Sequence, residues 1–243
     1  MSHIKLINIF AKFINNFKVL YDNSLLPLAA IVIEPAKVLF LNNAINHGIL
    51  GPLGVAQAKE TGKSILFMLE TNPGPGLGIL LAFWLAGPKI LRGSAPGAII
   101  IHFFGGIHEI YFPYILMKPR MILAAMAGGA TGIAVNMIFS NGLTATPSPG
   151  SIFAYMLVTP PGGHLTVLLA IAASAAVSFG VGWVLLKSDR SGDGDFEAAS
   201  ARIFMLVSGR CQVYFIQPVL MLSQTPLRFK LERESLRHKF APS

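Results

Sequence analysis

Two groups of side chains in this sequence are suited to holding a polar guest. Glu109 lies in the run Gly105-Gly-Ile-His-Glu-Ile-Tyr-Phe-Pro-Tyr114 and is the only formal charge between Arg92 and Lys118. An ionised carboxylate only accepts hydrogen bonds, so it could take two neighbouring hydroxyls of a polyol. At membrane depth such a group costs at least about 2.5–3.5 kcal/mol and persists where it meets a wet cavity, a partner or a ligand. The plainer reading is an interfacial glutamate beside a loop. The second group is Asn42-Asn-Ala-Ile-Asn-His-Gly48, three amides and an imidazole in seven residues. Amides both donate and accept, which suits a hydroxyl-rich ligand; equally, Asn and Gly end helices.

Other motifs carry less. His102 and His108 lie six apart, which is no metal-binding spacing, and His102 reads as a packing histidine. Thr61-Gly-Lys-Ser64 resembles the end of a phosphate-binding loop, but Gln57 stands where that loop needs glycine. Cys211, the single cysteine, has one adjacent cation and no glycine or serine cradle, so it reads as a spectator thiol. It also excludes an intramolecular disulfide and a cysteine-based zinc cluster.

The elements that must position these residues are those of a membrane protein. Of 243 residues, 53% are hydrophobic and only 12% charged, about half the charge of an ordinary soluble domain. Residues 1–186 hold 15 charged side chains and the last 57 hold another 15. Despite the net charge of +8, nucleic acid is not an expected partner. The basic residues lie between apolar blocks (Lys59 and Lys63, Lys89 and Arg92, Lys118 and Arg120), where a membrane boundary would fall. No cleavable signal peptide is evident in the first twenty residues.

No Asp, Glu, Lys or Arg occurs from Met121 to Leu186. Since a helix crosses the hydrocarbon core in about 20 residues, the stretch predicts two spans, Met121–Phe139 and His164–Leu186. The charge-free, turn-rich segment between them is expected to dip partly into the membrane against other protein. Upstream, Leu25–Leu41 contains Glu34 and Lys37 around Pro35. Ser64–Leu69 and Leu77–Ala86 flank the break Glu70-Thr-Asn-Pro-Gly-Pro-Gly76, the pattern of a discontinuous helix. Ala98–Met117 is a further span candidate. The expected fold is all-α: an integral membrane protein of polytopic helices, four or five elements, with re-entrant or discontinuous segments. Residues 1–24 form a lead-in segment, 25–187 the membrane region, and 188–243 a linker and basic tail. Lys187 and Arg190 beyond the final span predict a cytoplasmic C-terminus.

Four motifs, Ile33-Glu-Pro-Ala-Lys through His47-Gly48, Glu70 to Gly76, Gly105 to Tyr114 and Pro147-Ser-Pro-Gly-Ser151, occur in an order that closely resembles the membrane (IIC) domain of the mannitol-specific phosphotransferase permeases, from about residue 10 to about residue 198. The resemblance implies the substrate-carrying half of the IIC fold in the inner (cytoplasmic) membrane, which is usually homodimeric. It further implies uptake of mannitol or a close hexitol with release of mannitol 1-phosphate. The phosphoryl group would come through a histidine phosphocarrier protein, a IIA domain and a cysteine-phosphorylated IIB domain, with no cofactor and no metal. In that family the residue matching Glu109 binds the sugar, and the segment matching 43–48 helps line the site. The expected substrate contacts are therefore Glu109, Asn43, Asn46 and His47, with His108 as a weaker candidate orienting Glu109, and no residue is assigned to catalysis. A general-base role for His47 or Glu109 is open but not required.

The family has several helices ahead of the segment matching Leu25-Leu-Pro-Leu28, and IIB and IIA domains behind. The chain is thus expected to be a permease fragment lacking the scaffold half, with phosphorylation sites on other chains. The likeness fades after Asp195-Phe-Glu-Ala-Ala199, where the tail reads as a shifted frame or fusion. The competing readings are a transporter remnant that binds polyol without phosphorylating it, and a non-functional truncation product.

Overall fold

The computed structural model describes residues 25–188; the lead-in segment, the linker and tail, and Cys211 lie outside the described residues. Within them the chain is all-α: the one β feature is an isolated antiparallel bridge between Ser64 and Leu143. A 3₁₀ turn, Leu26–Ala29, leads into α1 (Ala30–Val38). A tight turn then starts α2 (Asn42–Ile45), which runs through a π-helical turn, Asn46–Leu50, into α3 (Gly51–Thr61). There follow α4 (Gly74–Ala86), the short α5 (Lys89–Arg92) and α6 (Ala95–Ile99) with its π-helical turn Ile100–Phe104. A 3₁₀ turn, His108–Tyr111, precedes α7 (Phe112–Met117); α8 (Ile122–Ile138), α9 (Ile152–Leu157) and α10 (His164–Ser188) complete the order.

Helices α8 and α10 lie where the charge-free stretch predicts them. With Pro119–Met121 ahead of it, α8 gives a 20-residue apolar helix, and α10 has 25 residues. At 1.5 Å per residue α10 is about 37 Å long, enough for a hydrocarbon core of about 30 Å. Both are long and apolar enough to cross a membrane.

Two sequence expectations need correction. Ala98–Met117 is not one continuous span: the helical path stops at Gly105–Ile107 and resumes in a 3₁₀ turn. Gly106 is the cause. It sits at φ 77°, a region that β-carbon-bearing residues avoid, and a Cβ there would strike the Gly150 and Ser151 backbone. The second correction concerns the Pro-Gly break, because α4 begins at Gly74, not Leu77. Proline is tolerated in a first helical turn, where its missing N–H is not needed, and the Asn72 side chain accepts from the Gly74 N–H at 2.9 Å.

The frame of the molecule is the trio α4, α8 and α10, with α10 packed along both of the others. Small residues four apart make the approach possible. A Cβ on Gly74 or Gly78 would strike Ser174, Ala175 or Ser178 of α10, and one on Gly128 would strike Ser178. The serines also bond across the seam: Ser174 Oγ donates to the Gly128 carbonyl at 2.7 Å and Ser178 Oγ to the Pro75 carbonyl at 2.9 Å. This is packing of the kind that drives helix association in lipid, by contact and interhelical hydrogen bonds.

Candidate functional site

Helix α1 carries Glu34 and Lys37 one turn apart, so both project from one face. That face is turned inward: Glu34 is 1% exposed and Lys37 0%, and Lys37 Nζ meets Glu34 Oε1 at 2.8 Å. Burying two charges is repaid only where geometry is good and the remaining donors find acceptors. Here Lys37 Nζ also donates to the Glu70 backbone carbonyl at 3.4 Å. Gly129 of α8 leaves the space for the Glu34 carboxylate, since a Cβ there would stand 2.7 Å from Oε1. Glu70, Thr71 and Asn72 are buried in the segment ahead of α4.

Three further motif segments join this pair. His102, in the π-helical turn, has Nε2 2.9 Å from the Pro73 carbonyl. Its ring lies 5.3 Å from that of Tyr111 and 4.8 Å from that of His108, and Gly76 makes room for both His102 and Tyr111. His108 Nε2 reaches the Gly150 carbonyl at 3.1 Å. The four stretches 33–48, 70–76, 105–114 and 147–151 therefore converge on one polar cluster. Within it Glu34 Oε2, His102 Nδ1, His108 Nδ1 and the Tyr111 hydroxyl are buried without a hydrogen-bond partner.

Glu109 stands at the margin of the cluster, partly exposed, where its Oε1 accepts from Asn42 Nδ2 at 2.7 Å. The chain reaches that geometry through a strained turn. Phe40 ends α1 at φ 61°, uncommon for a bulky residue, with its N–H on the Lys37 carbonyl at 2.9 Å. Its ring packs edge-on against Phe112 at 5.6 Å. The joint between α1 and α2 is thus docked twice on the Glu109 segment, by Phe40 on Phe112 and by Asn42 on Glu109.

The remaining residues singled out in the sequence are distributed as follows. Asn43 and His47 are exposed, Asn46 is buried at the start of the π-helical turn, and His108 turns to Gly150, not to the Glu109 carboxylate. The amide that meets Glu109 is Asn42, a member of the cluster noted in the sequence but not one of the residues selected from it. Sequence reasoning noted Glu34, Lys37 and Glu70 in or beside apolar runs but assigned them no role in the site. Thr61-Gly-Lys-Ser64 is a helix end: Gly62 sits at φ 76° with its N–H on the Ala58 carbonyl at 2.9 Å. Among the described residues no group of three or more His, Cys, Asp or Glu could hold a metal ion.

Comparison with known proteins gives the cluster its context. The chain is 59% identical over 192 residues to a mannitol-specific EIICB component of the phosphotransferase system (PTS) from Geobacillus stearothermophilus, covering 79% of this chain and 41% of that one. A mannitol-specific EIICB component from Bacillus subtilis is 59% identical, covering 76% and 39%. The mannitol-specific EIICBA component of Escherichia coli is 53% identical, covering 77% and 29%. This chain is a homologue of the mannitol-specific PTS components. No family model and no solved structure matches it. The chain spans about two-fifths of the length of the EIICB relatives and under a third of the EIICBA relative. Its two long apolar helices are suited by length and composition to crossing a membrane.

Proposed function

We propose that the chain is the substrate-carrying part of the membrane (IIC) component of a mannitol phosphotransferase system, which takes up mannitol and delivers it as mannitol 1-phosphate. The reading rests above all on the 59% identity to mannitol-specific EIICB components over most of this chain. Residues 25–187 form the multi-pass, partly re-entrant sugar-binding region, with the C-terminus in the cytoplasm. Segments 1–24 and 188–243 are lead-in and linker with tail. Helices of a scaffold half complete the permease, which works as a homodimer. IIB and IIA domains and a histidine phosphocarrier protein supply the phosphoryl group.

Glu109 is the polyol carboxylate. One of its oxygens is engaged by Asn42, which leaves lone pairs for hydroxyl donors of the sugar. Asn43, Asn46 and His47 extend the contact along the same turn, and His108 supports the segment from behind. The task of the site is positional. It presents a terminal hydroxyl to the IIB phosphocysteine; the hydroxyl oxygen attacks phosphorus, the S–P bond breaks, the cysteine leaves as thiolate and the hydroxyl proton passes to water. Such a transfer needs alignment and charge stabilisation more than covalent help from the membrane domain.

The test is binding of labelled mannitol to membranes containing this chain, with and without a supplied IIB domain. Glu109→Ala abolishes binding while the chain still inserts; unchanged affinity rejects the assignment.

A further inference from the structure

Lys37 is the one lysine or arginine buried among the described residues, and its placement serves more than its partner on the same helix. An ion pair confined to one turn of α1 ties no two elements together, and full burial makes it costly. The ammonium nevertheless makes a second bond, to the Glu70 carbonyl in the segment that opens α4. The Glu70 carboxylate, the Tyr111 hydroxyl and the His102 and His108 rings all lie within its electrostatic reach, as does the Tyr155 hydroxyl of α9. Glu70 in turn feels the charges of Glu34 and Glu109. Two carboxylates, those of Glu34 and Glu70, thus lie around a single buried cation.

The backbone of Lys37 is equally committed. Its carbonyl accepts the Phe40 N–H at 2.9 Å, the Ala36 carbonyl accepts the Leu41 N–H at 2.9 Å, and the Leu41 carbonyl then accepts the Ile45 N–H at 3.0 Å. The anchored residue is therefore the last fixed point before the turn that delivers Asn42 to Glu109.

We propose that Lys37 is a positioning residue for the polyol site: anchored on Glu34 and the Glu70 carbonyl, it holds the α1–α2 joint so that Asn42 engages Glu109, and its positive charge keeps that carboxylate-rich corner balanced. The inference rests on the reading of Glu109 as the polyol carboxylate.

The experiment measures labelled mannitol on membranes containing the chain and separates affinity (Kd) from the number of sites (Bmax). Lys37→Met raises Kd at least tenfold. The paired variant Glu34→Gln/Lys37→Met removes both members of the ion pair together, so it inserts and retains Bmax, and its Kd is still raised at least tenfold. Exchanging the two residues, Glu34→Lys/Lys37→Glu, keeps an ion pair but removes the donor facing the Glu70 carbonyl, and it does not recover affinity. Adding Asn42→Ala to the paired variant costs less than Asn42→Ala costs alone, because both act on one contact. Lost Bmax at unchanged Kd in the paired variant, recovery by the exchanged pair, or full additivity with Asn42→Ala would each overturn the proposal. If Glu109→Ala leaves mannitol binding intact, or the unaltered chain binds no mannitol, the parent reading fails first and takes this one with it. If Glu109→Ala abolishes binding and the paired variant binds normally, only the role of Lys37 falls.

Discussion

The Asn42 amide donates to the Glu109 carboxylate across 67 residues of sequence, and that bond fixes the distance between the amide-rich turn and the carboxylate-bearing segment. A hydrogen bond to a charged group is worth about 1.5–3 kcal/mol. On the proposed reading of Glu109 as the polyol carboxylate, Asn42→Ala frees that carboxylate to rotate, and the expected result is a fall in mannitol affinity of about tenfold or more. Equilibrium binding of labelled mannitol reads this directly. An Asn42→Asp variant, which brings two carboxylates together, is weaker still.

Gly129 offers a test of the buried ion pair that leaves both charges in place. Its Cβ would stand 2.7 Å from Glu34 Oε1, so Gly129→Ala must displace the Glu34 carboxylate from its place beside Lys37 or part α8 from α1. Overpacking of this kind costs about 1–3 kcal/mol. Gly97→Ala is the control, because a Cβ there meets nothing within 4 Å and alanine favours the helix by up to about 1 kcal/mol. Thermal unfolding in detergent lowers Tm for the first and leaves it level or raised for the second.

The contact between His108 and Gly150 pins the loop that contains Pro147 to Ser151. His108→Phe keeps the ring and leaves a carbonyl without its donor, at about 1–3 kcal/mol if it stays buried. The expected result is faster limited proteolysis within 147–151, with α10 as resistant as before. Unaltered cleavage there would assign the loop's order to other contacts.

Gly78→Leu drives a branched side chain into the Ser178 region of α10 and parts α4 from its neighbour. Ser178→Ala removes only the bond to the Pro75 carbonyl, an interhelical contact of a kind that averages about 0.6 kcal/mol in membranes. The first variant loses compact folding, measured as accelerated protease digestion. The second shifts Tm by no more than a few degrees.

What could be read from the amino acids alone divides along physical lines. The stretch from Met121 to Leu186 announces two long helices because so long a run without charge suits few surroundings except lipid. Ala98–Met117 has a similar hydropathy yet folds as separate pieces, since one glycine at positive φ outweighs the apolar average around it. At Asn42–Gly48 the composition is legible and the phase is not. A helix that starts after a bulky residue in left-handed conformation, then passes through a π-helical turn, has no register that 3.6-residue counting can follow. For that reason the amide meeting Glu109 is Asn42, while Asn43 and His47, selected from the same run, are exposed. Glu34 and Lys37 were visible as charges in an apolar run, but only the fold reveals that Gly129 leaves room for the Glu34 carboxylate.

Because α4, α8 and α10 touch through glycine and serine, their cohesion owes little to the expulsion of water. Aliphatic cores lose their driving force when the surrounding fluid is itself oily; intimate van der Waals fit and shared hydroxyl protons do not. The trio is therefore expected to keep its interaxial spacing when micelles are exchanged for a bilayer.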